Sequence, residues 1–224
     1  MTQLGTFWRT VEGEALYLYH KAVGLTVRWH FEGKANLTLA RATGRPILWA
    51  YWHENVSPFI MYADQFHDPA DFCIVTAGDT RSDILGRLAT RLRAQPFGID
   101  MQGNPMASGR ALLRVIQAMK KGKQSMLAPD GPDGPAFQPQ AGVAFLAKKA
   151  KAAVIPVAIY AKTAYRLNRW DKYQVPLPFS NMQMVIGSPI LPDKKSDDAE
   201  LLTTITNALT ATRQQARHLS GVME

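Results

Sequence analysis

Residues 45–58 read RPILWAYWHENVSP and contain an unbroken apolar run that ends at a histidine. The run at residues 47–52 has the length and the aromatic content of a buried strand, and Gly44-Arg45-Pro46 in front of it and polar residues behind it set its limits. His53 is therefore expected where a strand gives way to a helix. In open α/β sheets, ligands bind outside the carboxyl ends of the strands, which together form one edge of the sheet. The segment thus predicts a fold class and the position of a site.

Short apolar runs alternate with segments of helical period along most of the chain. Further strands are predicted at residues 27–32, 72–77, 97–101, 124–128, 154–160 and 182–186, and helices at residues 56–62, 82–93, 108–121, 141–151 and 197–219. This alternation predicts an α/β fold with a mostly parallel central sheet flanked by helices. Residues 165–180, rich in proline and aromatic residues, are predicted to form a surface loop. We predict one domain, with an amphipathic N-terminal helix at 1–25, an α/β core at 26–190 and a C-terminal helix at 191–224.

The N-terminal segment has an apolar helical face. Residues 6–23 place seven apolar side chains on one side of a helix: Phe7, Trp8, Val11, Ala15, Leu18, Tyr19 and Ala22. An aromatic-rich helix of this kind either covers a sheet or lies in a lipid interface. We favour the first interpretation and keep the second as the alternative.

Composition limits the class of protein and its partners. The chain has 224 residues, of which 46% are hydrophobic and 20% charged, so it can bury a core and is not expected to be disordered. The net charge of +8 predicts an anionic partner: nucleic acid, an anionic lipid surface or an anionic substrate. The single cysteine, Cys73, excludes an intramolecular disulfide and is expected to be a small buried residue in a reducing compartment. The sequence contains no apolar run of the roughly 20 residues that span a bilayer and no secretory signal, so we expect a cytoplasmic protein, peripheral at the inner face of the membrane.

A second loop follows an apolar run and provides a possible partner for His53. Residues 129–135 read PDGPDGP, in which prolines and glycines exclude regular structure and favour a stiff loop that presents Asp130 and Asp133. A tight turn with solvated aspartates is the alternative interpretation. Because the carboxyl ends of parallel strands meet at one edge of the sheet, His53 and Asp130 are expected to approach each other.

The order of these motifs resembles a bacterial family, labelled only as a domain of unknown function, within the lysophospholipid acyltransferase superfamily. The resemblance extends over about residues 31–190 and includes Trp52-His53, the helix that starts at Gly109, PDGPDGP, and Trp170-Asp171 followed by Pro-Leu-Pro-Phe. It implies transfer of a fatty acyl group from an acyl-CoA or acyl carrier protein thioester to a hydroxyl of a lysophospholipid or related lipid. No metal or redox cofactor is implied.

The resemblance also implies roles for individual residues. In the superfamily a histidine precedes an aspartate by five residues, and a later Pro-Glu-Gly segment follows a strand. His53 matches the histidine, residues 129–131 match the later segment with aspartate for glutamate, and Pro58 stands where the first aspartate would be. His53 is the predicted general base for the acceptor hydroxyl.

An imidazole base needs a partner on its second nitrogen to fix its tautomer. Because Pro58 cannot serve, Asp130 is the predicted partner, with Asp79 and Glu54 as reserves. Backbone N–H groups near the edge are expected to hold the developing oxyanion.

Anionic head groups require cations, and two arginines lie near the predicted edge. The predicted substrate-binding residues are Arg81, Arg110, Gly131, Pro132, Asp133 and Gly134. In the related family a turn arginine precedes glycine and serine before the helix, and this chain has Gln102-Gly103-Asn104 in that place.

Two other functional classes remain as hypotheses. A non-catalytic, membrane-associated lipid-binding protein of the same fold is consistent with Pro58. A nucleic-acid-binding module would account for the charge, but the aromatic residues lie in apolar strands rather than along an exposed basic stripe, so no nucleic acid partner is expected.

Overall fold

A seven-stranded sheet, in the order β1-β9-β6-β2-β5-β3-β4, is the centre of the fold. The computed structural model describes residues 3–77, 80–99, 105–193 and 195–222. The strands of the large sheet are β1 (Arg28–Glu32), β2 (Ile47–Ala50), β3 (Phe72–Ala77), β4 (Gln95–Ile99), β5 (Gln124–Leu127), β6 (Ala153–Ala161) and β9 (Asn181–Ile186), and a second, two-stranded sheet consists of β7 (Ala164–Arg166) and β8 (Gln174–Pro176).

The large sheet is mostly parallel, as predicted. Strands β6, β2, β5, β3 and β4 run in one direction, and β9 is antiparallel to β6 and parallel to β1. All residues of β2 and β6 are buried, which accounts for their continuous apolar sequences: a strand covered on both faces has no polar side. Cys73 in β3 is likewise buried, as expected.

Helices pack on both faces of the sheet. They are α1 (Gln3–Gly24), α2 (Lys34–Ala42), α3 (Val56–Phe66), α4 (Thr80–Arg91), α5 (Pro105–Lys120), α6 (Gly142–Ala150) and α7 (Asp198–Ser220). One apolar core includes Trp49, Phe59 and Leu88, a second includes Val115, Leu146 and Ile205, and a small third cluster consists of Ala158, Tyr160, Val185 and Ala216. Helix α2 was missed in the sequence because its nine residues are fewer than the about 11–18 over which a helical period is recognised. Among the described residues, no helix is both long and apolar enough to cross a membrane.

The apolar face of α1 points outward, contrary to the favoured prediction. Trp8, Val11 and Leu18 are exposed, with Leu18 at 61%. The helix packs mainly against α4 and α3 instead of covering the sheet. The contact with α4 is centred on Gly13, where a Cβ would come within 2.8 Å of Arg87 Cβ, so the small residue and not the apolar face marks the packed side.

A buried histidine joins α1 to α3. His20 Nδ1 lies 2.8 Å from the Leu16 carbonyl oxygen and Nε2 lies 3.1 Å from Ser57 Oγ of α3. Burial is the largest influence on this ring and lowers the pKa of His20, which favours the neutral form. A polar residue on the buried side therefore has its hydrogen bonds satisfied within the helix pair.

Residues 165–180 form a packed hairpin rather than the predicted surface loop. Strands β7 and β8 pair within this segment, and Asp171 and Gln174 are buried. The side-chain amide of Gln174 donates to the Ile159 carbonyl oxygen and its Oε1 accepts from the Ala161 N–H. The hairpin is thereby attached to the carboxyl end of β6, beside the edge where β2 and β5 end.

Candidate active site

The register of β2 against β5 brings His53 and Asp130 together. Ala50 pairs with Leu127, and His53 and Asp130 each lie three residues beyond these partners. The pairing continues past the strand, since the Tyr51 N–H donates to the Leu127 carbonyl oxygen. Equal offsets from a parallel pair place the two side chains opposite each other at the carboxyl edge of the sheet.

Backbone donors hold the Asp130 carboxylate in place. Its Oδ1 accepts from the His53 N–H at 3.0 Å and its Oδ2 from the Phe137 N–H at 3.2 Å, and the side chain is buried. The same Oδ1 lies 3.7 Å from His53 Nδ1. Nδ1 is buried and has no hydrogen-bond partner within the described residues. A separation of 3.7 Å exceeds a hydrogen bond, and such contacts at active sites often tighten only when substrate binds.

Gly131 and Gly134 let the PDGPDGP loop approach the histidine closely. A Cβ on Gly131 would overlap the His53 ring, so any larger residue there displaces the imidazole. Gly134 has φ +79 and lies against Trp170, whose ring centroid is 5.3 Å from that of His53. The ring is thus enclosed by the loop on one side and the hairpin on the other. Of the remaining predicted loop residues, Pro132 lines the cavity described below and Asp133 is exposed.

Glu54 faces away from the imidazole, so its nomination as a reserve partner was wrong. Its Oε1 accepts from Arg213 Nε at 2.8 Å and from the Tyr160 hydroxyl at 2.9 Å. Burial raises the pKa of the Glu54 carboxyl, while hydrogen bonds from Arg213 and Tyr160 oppose that shift. Pro58 is buried in the first turn of α3. Asp79, the other reserve, lies outside the described residues.

An apolar cavity of about 590 Å³ adjoins the histidine. His53, Pro129 and Gly131 line it at the carboxyl edge of the sheet, and Phe72 and Ala94 line it near the amino ends of β3 and β4. Because the cavity extends along β3, in which each residue adds about 3.3 Å, its length is roughly 15 Å. The walls are mainly aliphatic: Ile60 and Leu88 belong to the core on one face of the sheet, and Leu112 and Leu146 to the core on the other face. This cavity was not predictable from the sequence, because its walls come from distant segments.

One cation at this cavity was missed in the sequence. Arg169 lines the cavity, its side chain is 48% exposed, and it donates to Asp171 Oδ2 at 2.9 Å. The cationic and aromatic segment RLNRWD was the available sequence signal. Of the two predicted arginines, Arg110 is exposed on α5 next to Gly109, which lines the cavity, and the side chain of Arg81 lies outside the described residues. Residues 102–104 also lie outside them.

Comparison with known proteins supports the same architecture. No family model matches the chain. One relative is the uncharacterized protein RP090 of Rickettsia prowazekii (strain Madrid E), 24% identical over 176 residues, which are 78% of each chain. A solved structure, that of the 1-acyl-sn-glycerophosphate (LPA) acyltransferase PlsC from Thermotoga maritima, is similar with a TM-score of 0.57 and 17% identity over 92% of this chain and 81% of that chain. The chain therefore has an acyltransferase-like α/β fold with a mostly parallel seven-stranded sheet.

Proposed function

We propose that the protein transfers a fatty acyl group from an acyl-CoA or acyl carrier protein thioester to a hydroxyl of a lysophospholipid or related lipid. The observation that carries this proposal is the apolar cavity that adjoins His53. A mainly apolar space that adjoins a histidine suits an acyl chain whose reactive carbonyl stays beside the imidazole. The likeness of the fold to PlsC, which is named an LPA acyltransferase, adds to this argument.

The proposed reaction uses His53 first as a base and then as an acid. The buried Nδ1 faces Asp130, so Nε2 is the nitrogen that takes the proton of the acceptor hydroxyl. The hydroxyl oxygen attacks the thioester carbonyl carbon, the C–S bond breaks as the new C–O bond is kept, and the departing thiolate receives the proton from the imidazolium. Asp130 stabilises the imidazolium and holds its tautomer. Arg169, which lines the same cavity, is the proposed contact for an anionic head group.

A non-catalytic lipid-binding protein is the second candidate, and Pro58 in place of the motif's aspartate is the observation that favours it. The two candidates differ in product formation. Purified protein is incubated with palmitoyl-CoA or palmitoyl-acyl carrier protein and lysophosphatidic acid, and phosphatidic acid is measured by mass spectrometry. We expect turnover with at least one donor. The result that contradicts acyl transfer has two parts: a lipid co-purifies and binds tightly, and no product forms from either donor or from other lysophospholipids. This result supports the non-catalytic lipid-binding protein.

We further propose that the protein meets its lipid at an anionic bilayer surface, through an exposed patch that we call the α1–hairpin surface and define as Leu18, Leu25, Leu177 and Phe179. Leu25 is 85% exposed and Phe179 69% exposed. The two parts of the patch are adjacent, because the Phe179 N–H donates to Thr26 Oγ1 and the Tyr19 hydroxyl donates to the Pro176 carbonyl oxygen. Exposed apolar groups in such a cluster favour an apolar partner.

Exposed cations border this surface and match an anionic lipid. Arg28 at the start of β1 and Lys162 after β6 are exposed, and their backbone N–H groups bond to residues 180 and 181, next to Phe179. Because β9 and β1 run opposite to β6, these residues lie at the same edge of the sheet as His53. A bilayer bound here would adjoin the edge at which the cavity begins.

Replacing both Leu25 and Phe179 with serine should weaken binding to vesicles that contain phosphatidylglycerol by about tenfold or more, since each buried apolar side chain contributes roughly 1.5–3 kcal/mol when fully buried. Binding is measured by vesicle flotation. Leu113→Ser is the matched control, because Leu113 is 54% exposed but lies on α5. Equal vesicle binding by the double variant and the control contradicts the proposed surface. Turnover on detergent-dispersed substrate should remain.

A further inference from the structure

Arg213 of α7 contacts both flanks of the His53–Asp130 pair. Its Nε donates to Glu54 Oε1 at 2.8 Å and its Nη2 donates to Glu54 Oε2 at 3.3 Å, and Glu54 directly follows His53 in the chain. Its guanidinium carbon lies 4.1 Å from the centroid of the Phe137 ring. One side chain therefore joins the segment that carries the histidine to the loop that surrounds the aspartate.

Both oxygens of Asp130 depend on the backbone of these two segments. The Phe137 N–H donates to Oδ2 and the His53 N–H donates to Oδ1. Phe137 also meets Trp52 edge to face, with ring centroids 5.7 Å apart. A shift of Phe137 or of residues 52–54 would therefore change the position of the carboxylate relative to the imidazole.

The cost of burying these charges makes stability alone a weak explanation of the contact. The Glu54 side chain is 3% exposed and that of Arg213 is 17% exposed. Removing both charges from water is costly, and well-packed apolar residues often stabilise a protein as much as such a pair does. What apolar residues lack is the planar guanidinium, which directs two donors at a carboxylate while stacking on a ring.

We propose that Arg213 is a positioning residue that fixes the separation of His53 and Asp130. The catalytic part of this inference rests on the proposed acyl transfer, whereas the geometric part does not. Arg213 acts through Glu54 and through Phe137. The sequence offered no indication of this, because residue 213 is separated from residue 54 by most of the chain.

The test replaces the pair without leaving a buried charge alone. Arg213→Met combined with Glu54→Gln keeps the hydrogen bond to Tyr160 and removes both charges. We expect kcat to fall by about 10- to 100-fold with little change in KM, because a displacement near 1 Å costs about this much. We also expect the ¹⁵N spectrum of the His53 imidazole to change from that of one tautomer toward that of a mixture of both. The His53 signals are assigned by their absence from the spectrum of His53→Ala.

Two further variants keep the test decisive. Arg87→Met breaks a solvent-exposed Arg–Glu pair of similar geometry, with Arg87 Nε 2.6 Å from Glu14 Oε1, and should change neither kcat nor the spectrum. Phe137→Leu keeps an apolar side chain, removes the stacking, and should shift the spectrum in the same direction even if the double variant does not fold. The ¹⁵N spectrum can be recorded whether or not the protein transfers acyl groups. A changed spectrum in a protein without acyl transfer therefore supports the positioning role and contradicts only the proposed enzymatic activity. An unchanged His53 spectrum in the folded variants overturns the inference.

Discussion

Replacing His53 with alanine should lower kcat for acyl transfer by about 10²- to 10⁴-fold, the usual contribution of a positioned general base. The reason is that the acceptor hydroxyl then has to lose its proton to water while it attacks the thioester. Product is measured by mass spectrometry under saturating donor and acceptor. The apolar cavity does not depend on the imidazole for its aliphatic walls, so binding of the acyl donor should be retained within a few-fold.

The lipid affinity of the same variant gives the control. Lost turnover with retained lipid binding places the histidine in the chemical step. If His53→Ala transfers acyl groups as fast as the wild type, the imidazole is not the base, and the general-base mechanism is wrong even if the protein is an acyltransferase.

Replacing Asp130 with asparagine should lower kcat by about 10²- to 10³-fold and leave KM nearly unchanged. An amide in the corresponding place in serine proteases costs about 10⁴, through the wrong imidazole tautomer. We expect a smaller loss because Asp130 Oδ1 is 3.7 Å from His53 Nδ1 and the contact is looser. Asparagine also has one oxygen for two backbone donors, which should lower the free energy of unfolding by about 1–3 kcal/mol, measured by urea denaturation.

Asp133→Asn is the matched control for this prediction. It is the same chemical change in the same heptad, at a residue that is exposed, whereas Asp130 is buried. Its kcat should equal that of the wild type within about twofold, as for most surface changes. If Asp130→Asn and Asp133→Asn are equally active while His53→Ala is inactive, the histidine has another partner and the PDGPDGP loop serves to shape the site.

The strands of the large sheet and the proximity of the candidate pair were predictable because each depends on local patterns. Strand β2 is an apolar run with a breaker before it, and the PDGPDGP loop excludes helix by its composition alone. Parallel strands that end at one edge then bring His53 and Asp130 near each other without any further information. The parallel sheet itself followed from the alternation of strands with helices, and the structure confirms it.

The contacts that were missed all join distant segments. Periodicity located α1 but could not tell which face packs, because Gly13 and His20 are packed for reasons of close approach and hydrogen bonding rather than apolarity. Gln174 reads as a polar loop residue until β6 provides its partners. Glu54 and Arg213 each read as surface charges, and only the folded chain brings them together. A one-dimensional pattern contains no information on such pairs.

The equal offset of His53 and Asp130 from the last residues paired between β2 and β5 has an evolutionary consequence. A single-residue insertion between Ala50 and His53 would move the histidine one position along and turn its side chain to the other side of the extended segment. The same insertion between Leu127 and Asp130 would restore the match. Insertions and deletions in these two short connections should therefore occur in pairs among related chains, and a relative with a length change in one connection alone should lack the pair.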